Sequence, residues 1–211
     1  FISDENIKKL EKSNIHNNKL IKEAIDHHLK SSTLGTYNKS TNFNSCNFSN
    51  SVMNNSLIKK DIKNLYKEFL ITGKGGNKVK FLELLDKILS LPNEQININY
   101  QDEKGNSALH YSSDEGNLKI VEILLNANCD PNLRNNENQT ALHLSSKSGY
   151  FDISKLLIEN GALLNIYDSK KNTPLHYVCM NNSIELIKYF LTKLPQADEL
   201  NENNKTPTDL T

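Results

Sequence analysis

Three histidines recur at one spacing: His110, His143 and His176 are each separated by 33 residues. Imidazole is the commonest transition-metal ligand and the side chain that exchanges its proton nearest neutral pH. Zinc holds imidazole nitrogens at about 2.0 to 2.1 Å, so the three form a metal centre only if the fold converges them on one point. The same step of 33 joins Leu109, Leu142 and Leu175; Ser107, Thr140, Thr173 and Thr206; and Asp102, Asn135, Asp168 and Asn201. Four columns in one phase make the histidines members of a repeat, and the repeat decides their separation.

Each period reads as turn, short helix, turn, longer helix and loop. The first helix is predicted from about Ser107 to Asp114, Thr140 to Lys147 and Thr173 to Met180. Each opens on a hydroxyl residue able to accept from an orphan amide, and Pro174 sits where a missing N–H costs nothing. The second helix carries apolar residues at helical spacing: Leu118, Val121, Leu124 and Leu125; Ile153, Leu156 and Leu157; Ile184, Ile187, Phe190 and Leu191. Gly116 and Gly149 mark the turn between helices, Asn182 takes that column in the third period, and Gly161 follows a second helix. Equivalent positions on stacked helices lie about 8 to 10 Å apart. That spacing excludes a shared zinc ion and gives the histidines a structural role.

Other candidate chemistry is thinner. Gly73 to Gly76, GKGG, resembles a phosphate cradle but lacks the following Lys-Ser/Thr and is preceded by a helical pattern, so a loop between helices is expected. His27-His28 lie in IKEAIDHHLK with no third ligand or nucleophile nearby, and a short helix near 18–30 is the expectation. Cys46, Cys129 and Cys179 lack the close pairing of a zinc or redox motif, which fits a reducing compartment; Cys129 and Cys179 read as small apolar fillers. Triplets such as Asn47-Phe48-Ser49 and Asn138-Gln139-Thr140 are expected from composition, with no secretion signal to make them glycosylation sites. There is no nucleophile elbow, paired-carboxylate cleft or phosphate loop, so neither catalysis nor a cofactor is expected.

The chain has 211 residues, with 25 basic and 25 acidic side chains. The balance argues against a general nucleic-acid binder, which gains affinity by releasing counterions from phosphates. Charge is nonetheless segregated: residues 1–56 hold 7 basic and 5 acidic side chains, 57–98 hold 8 and 5, and 99–211 hold 10 and 15, or +2, +3 and −5. Only 36% of residues are apolar and 32 are asparagine. Stretches such as Thr41 to Ser56, TNFNSCNFSNSVMNNS, bury too little apolar surface to offset ordering entropy, so residues 1–56 are expected to be disordered. No apolar run approaches the roughly 18 residues that span a bilayer, and an intracellular location, cytoplasmic or nuclear, is the expectation.

The motifs DEKGNSALHYSSDEGNLKIVEILLNANCDPN, NNENQTALHLSSKSGYFDISKLLIENGALLN and DSKKNTPLHYVCMNNSIELIKYFL resemble the ankyrin repeat family. The resemblance covers roughly Tyr100 to Thr211, in repeats of about 102–134, 135–167 and 168–200 and a partial repeat at 201–211. It departs where Ser112-Ser113 and Ser145-Ser146 replace the usual Ala pair and Ser107 replaces Thr. Residues 57–99 read as a divergent N-terminal capping repeat: Ile62, Leu65, Tyr66, Phe69 and Leu70 mark a first helix, and Phe81, Leu84, Leu85, Ile88 and Leu89 a second. The implied fold is an all-α solenoid of stacked helix-turn-helix units with hairpin-like loops, in which each Thr or Ser bonds the His of its own motif. Lys205 to Leu210 opens a fourth period, and further chain is expected beyond both ends of the sequence.

The family resemblance places function on the hairpin tips and the exposed side of the first helix, which line a concave groove. The tip positions are Glu103, Lys104 and Asn106; Asn136, Glu137 and Gln139; Ser169, Lys170 and Asn172. Arg134, Tyr167 and Leu200 precede tips, and the helix contributes Asp114, Glu115, Lys147, Ser148, Met180 and Asn181, with Tyr177 beside Met180. The residues expected to touch a partner are Glu103, Lys104, Asp114, Glu115, Arg134, Glu137, Lys147, Tyr167, Lys170, Tyr177, Met180 and Leu200. The expected function is a monomeric, non-catalytic adaptor for a polypeptide, anchored near Tyr167, Met180 and Leu200. The alternative is a targeting or autoregulatory module of a larger enzyme, of kinase or acyltransferase type. The lysines at 59, 60, 63, 67, 74, 78 and 80 offer a lesser reading as an acidic-partner or membrane contact.

Overall fold

The computed structural model describes residues 55–91, 96–194 and 198–210. The short helix near 18–30 and the expected disorder of 1–56 lie outside the described residues, except that Asn55 and Ser56 are helical instead. The chain divides into two compact units, residues 1–66 and 67–211. The described part of the first is the opening of helix α1, Asn55–Gly75, where Tyr66 is buried.

In the second unit α1 ends and α2 follows, Lys78–Leu89. Three helix pairs then recur: α3, Ala108–Asp114, with α4, Leu118–Asn126; α5, Ala141–Ser148, with α6, Phe151–Glu159; α7, Pro174–Asn181, with α8, Ile184–Lys193. A 3-10 turn, Pro207–Leu210, begins the next period. First helices pack in one layer, α3 on α5, α5 on α7 and α7 on the 3-10 turn. Second helices pack in another, with α2, α4, α6 and α8 in succession.

The core lies between these layers. Leu109, Leu142 and Leu175 are buried from the first helices, and Ile120, Val121, Leu124, Ile153, Leu157, Leu186 and Phe190 from the second. In α8 the periodicity marks the wrong flank in part: Ile184 and Leu191 are exposed, while Leu186 and Phe190 face inward. Between α1 and α2 Phe69 stacks on Phe81, with ring centroids 4.6 Å apart.

The inter-helix turns need a left-handed residue. Gly149 has φ +74° and Asn182 has φ +57°, so asparagine supplies the conformation glycine supplies one period earlier. Of the loop expected at Gly73 to Gly76, Gly73 to Gly75 are helical instead; only Gly76 and Asn77 separate α1 from α2. Two contacts explain it. Nδ2 of Asn117 donates to the Gly73 carbonyl at 3.0 Å and to the Lys74 carbonyl at 2.9 Å, satisfying the helix end. The fourth period forms a 3-10 turn rather than an α-helical one. There Asp209 occupies the histidine column and its Oδ2 accepts from the Thr206 amide at 2.8 Å.

Candidate partner-binding surface

The turn before each first helix is built by its Asp or Asn. Asp102 Oδ1 accepts from the amides of Lys104 and Asn106, Asn135 Oδ1 from Glu137 and Gln139, Asp168 Oδ1 from Lys170 and Asn172, and Asn201 Oδ1 from Asn203 and Lys205. One side chain therefore closes each tip. Gly105 fits its tip because a Cβ there would sit 2.8 Å from the Asn136 amide nitrogen, and its φ is +75°.

Successive tips are joined. The Asn136 amide donates to the Lys104 carbonyl, Ser169 to Glu137 and Glu202 to Lys170, at 3.0, 2.9 and 3.1 Å. A parallel row of side chains precedes the tips: Gln101 Nε2 donates to the Arg134 carbonyl at 2.8 Å, and the Arg134 guanidinium donates to the Tyr167 carbonyl. Leu200 continues that column, and no side-chain donor among the described residues reaches its carbonyl.

Each histidine ties its own helix start to the next tip. His110 Nε2 lies 3.0 Å from the Gln139 carbonyl, His143 Nε2 3.2 Å from the Asn172 carbonyl, and His176 Nε2 3.2 Å from the Lys205 carbonyl. A carbonyl only accepts, so Nε2 carries the proton. Nδ1 then accepts from the backbone amides of Ser107, Thr140 and Thr173 at 3.1, 3.1 and 3.0 Å, and from their hydroxyls. The expected Thr–His and Ser–His bonds are present. Burial, chiefly, holds all three imidazoles below their ordinary pKa, His143 at about 4.

Of the residues expected to meet a partner, Glu103, Lys104, Asp114, Glu115, Arg134, Glu137, Lys147 and Lys170 are exposed. Tyr167, Met180 and Leu200 are exposed too, at 40%, 47% and 52%, among the largest apolar exposures on this surface. Arg134 is committed to backbone carbonyls of Asn138 and Tyr167. Tyr177, read as a surface neighbour of Met180, is 9% exposed, with its hydroxyl on Asp168 and near Gln139. Gln139 and Asn172, read as tip residues, are buried as well. Their side chains bond inward, Gln139 Nε2 donating to the Tyr177 hydroxyl at 3.3 Å and Asn172 Oδ1 accepting from Asn201 Nδ2 at 3.0 Å, which the repeat columns alone do not show.

At the far ends of the first helices charges alternate. Lys74 Nζ lies 3.7 Å from Glu115, and Asp114 feels the positive charges of Lys147 and Lys74. Burial raises the Asp114 carboxyl, and Glu115 adds to the rise. The same row ends in Met180 and Asn181, where the Asn181 amide donates to the Lys147 carbonyl at 2.7 Å. Near the other edge, Glu199 places one carboxylate oxygen, Oε2, out of solvent with no hydrogen-bond partner among the described residues. Burial raises the Tyr167 phenol, and the Glu199 carboxylate beside it adds to the rise.

Burial pushes the Cys129 and Cys179 thiols up, which disfavours the reactive thiolate. Among the described residues no group of three or more His, Cys, Asp or Glu is placed to hold a metal ion. Nor is any described helix long and apolar enough to cross a membrane. The surface is thus a set of rigid backbone turns carrying varied side chains.

Comparison with known families agrees with this architecture. The family pattern "Ankyrin repeats (3 copies)" matches residues 76–168, and "Ankyrin repeats (many copies)" matches 146–191. Together they cover 76–191, and the chain belongs to the ankyrin-repeat family. Ankyrin repeats are in general protein-interaction modules, and both matched patterns are of this class. No curated protein matches the chain.

Proposed function

We propose that the repeats form a non-catalytic scaffold that binds a polypeptide partner across the tips and the exposed ends of the first helices. The observation that carries this reading is the joined row of tips, Lys104 to Asn136, Glu137 to Ser169 and Lys170 to Glu202. Bonded turns hold side chains in fixed places before a partner arrives, so less ordering entropy opposes binding. The side chains they present change from charged in the first repeat to Tyr167 at the end of the second and Met180 and Leu200 in the third. Tyr and Met are enriched at interface centres, whereas isolated Lys and Glu serve as rim.

The test places a photo-crosslinking residue at Ser169 on a tip and, separately, at Lys155 on the second-helix layer. Polypeptide adducts are expected from position 169. They should disappear in the double variant Tyr167→Ala with Met180→Ala while helical content is unchanged. Adducts from position 155 alone, or adducts that survive the double substitution, discard this surface.

A further inference from the structure

Three features meet at the C-terminal end of the row that precedes the tips. Gln101 and Arg134 each send a side-chain N–H to the carbonyl of the same column one repeat on, but Tyr167 has no amide or guanidinium to send to Leu200. Glu199, next to that carbonyl, has an oxygen without a partner among the described residues. Its column holds Leu133 and Ile166 in the two preceding repeats, so a carboxylate stands where the stack elsewhere uses an apolar side chain. Tyr167 and Leu200, finally, are two of the exposed apolar side chains of this surface.

We propose that Tyr167, Glu199 and Leu200 form a seat for an arginine side chain of the polypeptide partner, a reading that rests on the tip surface being the binding face. A guanidinium presents several N–H donors in one plane, enough to serve the Leu200 carbonyl and the Glu199 carboxylate together. Its flat face stacks on a tyrosine ring, and its methylene stem covers apolar surface of the kind Leu200 offers. Arg134 shows the fit within this chain: its guanidinium already serves the Tyr167 carbonyl, the equivalent position one repeat earlier. Lysine carries a single compact ammonium and cannot engage both acceptors in a plane. The Glu199 carboxylate already faces the Tyr167 hydroxyl, which places the two side chains of the seat together, while Oε2 itself makes no bond that a cation would have to break.

The probes are three synthetic nine-residue peptides, alike except for Arg, Lys or citrulline at the centre between two leucines, titrated into the full chain and followed by amide NMR shifts. The arginine peptide should bind at least tenfold more tightly than the citrulline peptide and shift the amides of Glu199, Leu200 and Asn201. Glu199→Gln should reduce its affinity about tenfold. No binding of the arginine peptide up to millimolar concentration, or equal binding of all three, overturns the seat. If the peptides shift the tip amides at 103–104 and 136–137 without preference for arginine, the surface stands and the seat falls. If they shift only second-helix amides, both fall. A second variant needs no peptide: Tyr167→Arg supplies the guanidinium from the chain itself, and should raise Tm while abolishing the arginine preference. An unchanged or lower Tm means that the Leu200 carbonyl and Glu199 are not waiting for such a group.

Discussion

The Tyr177 hydroxyl donates to Oδ2 of Asp168 at 2.6 Å, nine residues back along the chain and beneath the tip that Asp168 closes. Tyr111 makes the same bond to Asp102, also at 2.6 Å. The repeat between them and the one that follows replace both partners: Asn135 is followed at the same interval by Leu144, and Asn201 by Leu210. In those repeats the second polar atom turns elsewhere, Asn135 Nδ2 to Asn106 Oδ1 at 2.9 Å and Asn201 Nδ2 to Asn172 Oδ1 at 3.0 Å. An acid takes a tyrosine above it, and an amide takes a leucine.

The first prediction concerns that exchange. Tyr177→Phe removes the donor from a buried carboxylate oxygen and should cost about 1.5 to 3 kcal/mol in denaturant unfolding, the range for hydrogen bonds to charged groups. The double variant Asp168→Asn with Tyr177→Leu copies the pair Asn135 and Leu144 and should recover most of the loss. Additive losses in that cycle would show that the two side chains do not act as a unit. Alkali offers a separate reading. Burial, and then Asp168, push the Tyr177 phenol up to about 12. Because its pKa rises on folding, its contribution is complete below about pH 10 and is lost between there and about 12. Absorbance near 295 nm should show a late-ionising tyrosine component that is reduced in Tyr177→Phe.

The second prediction follows from the histidine tautomer. Protonating Nδ1 of His143 would set its new N–H against the Thr140 amide that it now accepts from. Its native pKa of about 4 lies below the ordinary 6.5. The neutral form is therefore favoured by folding, so stability is complete above about pH 6.5 and falls as the pH drops from there to about 4. The full loss is on the order of 3 kcal/mol for this one residue. Unfolding measured at several pH values should show the slope, and His143→Gln should reduce it, leaving the part due to His110 and His176. His143→Ala should lower Tm at pH 7.5 with no metal in either protein; zinc bound to the wild type and lost in the variant would contradict the structural role.

Much of this was legible from the period of 33. It fixed the helix pairs, the hydroxyl and histidine at each helix start, and asparagine in a glycine column, because those depend on local bonds that the sequence repeats in phase. Two readings went astray where distant contacts decide. Gly73 to Gly76 reads as a loop because glycine is costly in a helix, yet Asn117, more than forty residues on, holds the Gly73 and Lys74 carbonyls. Tyr177 reads as an interface residue because a tyrosine near a methionine looks available, whereas its partner at Asp168 draws it under the tip. The alternation of Asp with Tyr and Asn with Leu was present in the sequence and would have revealed that partnership. Glu199 stands out only when set against Leu133 and Ile166 in its column.

The third prediction concerns the serines that replace small apolar residues. Ser113 and Ser146 share a column with Cys179, and the hydroxyl of each is buried without a hydrogen-bond partner among the described residues. Their neighbours are served: Ser112 donates to the Leu109 carbonyl at 3.3 Å, while Ser145 meets the Leu142 carbonyl and the Ser154 hydroxyl, the latter at 2.8 Å. A buried hydroxyl that makes no bond has lost its water for nothing, at a cost of about 1 to 3 kcal/mol. Ser113→Ala and Ser146→Ala should each raise stability by about 1 kcal/mol, with their effects adding if the sites are independent. Ser145→Ala should do the reverse, since it strands the Ser154 hydroxyl in the same core. Thermal melts of the three variants decide the matter: destabilisation by both alanine changes at 113 and 146 would mean that those hydroxyls are paired in solution, most simply with buried water.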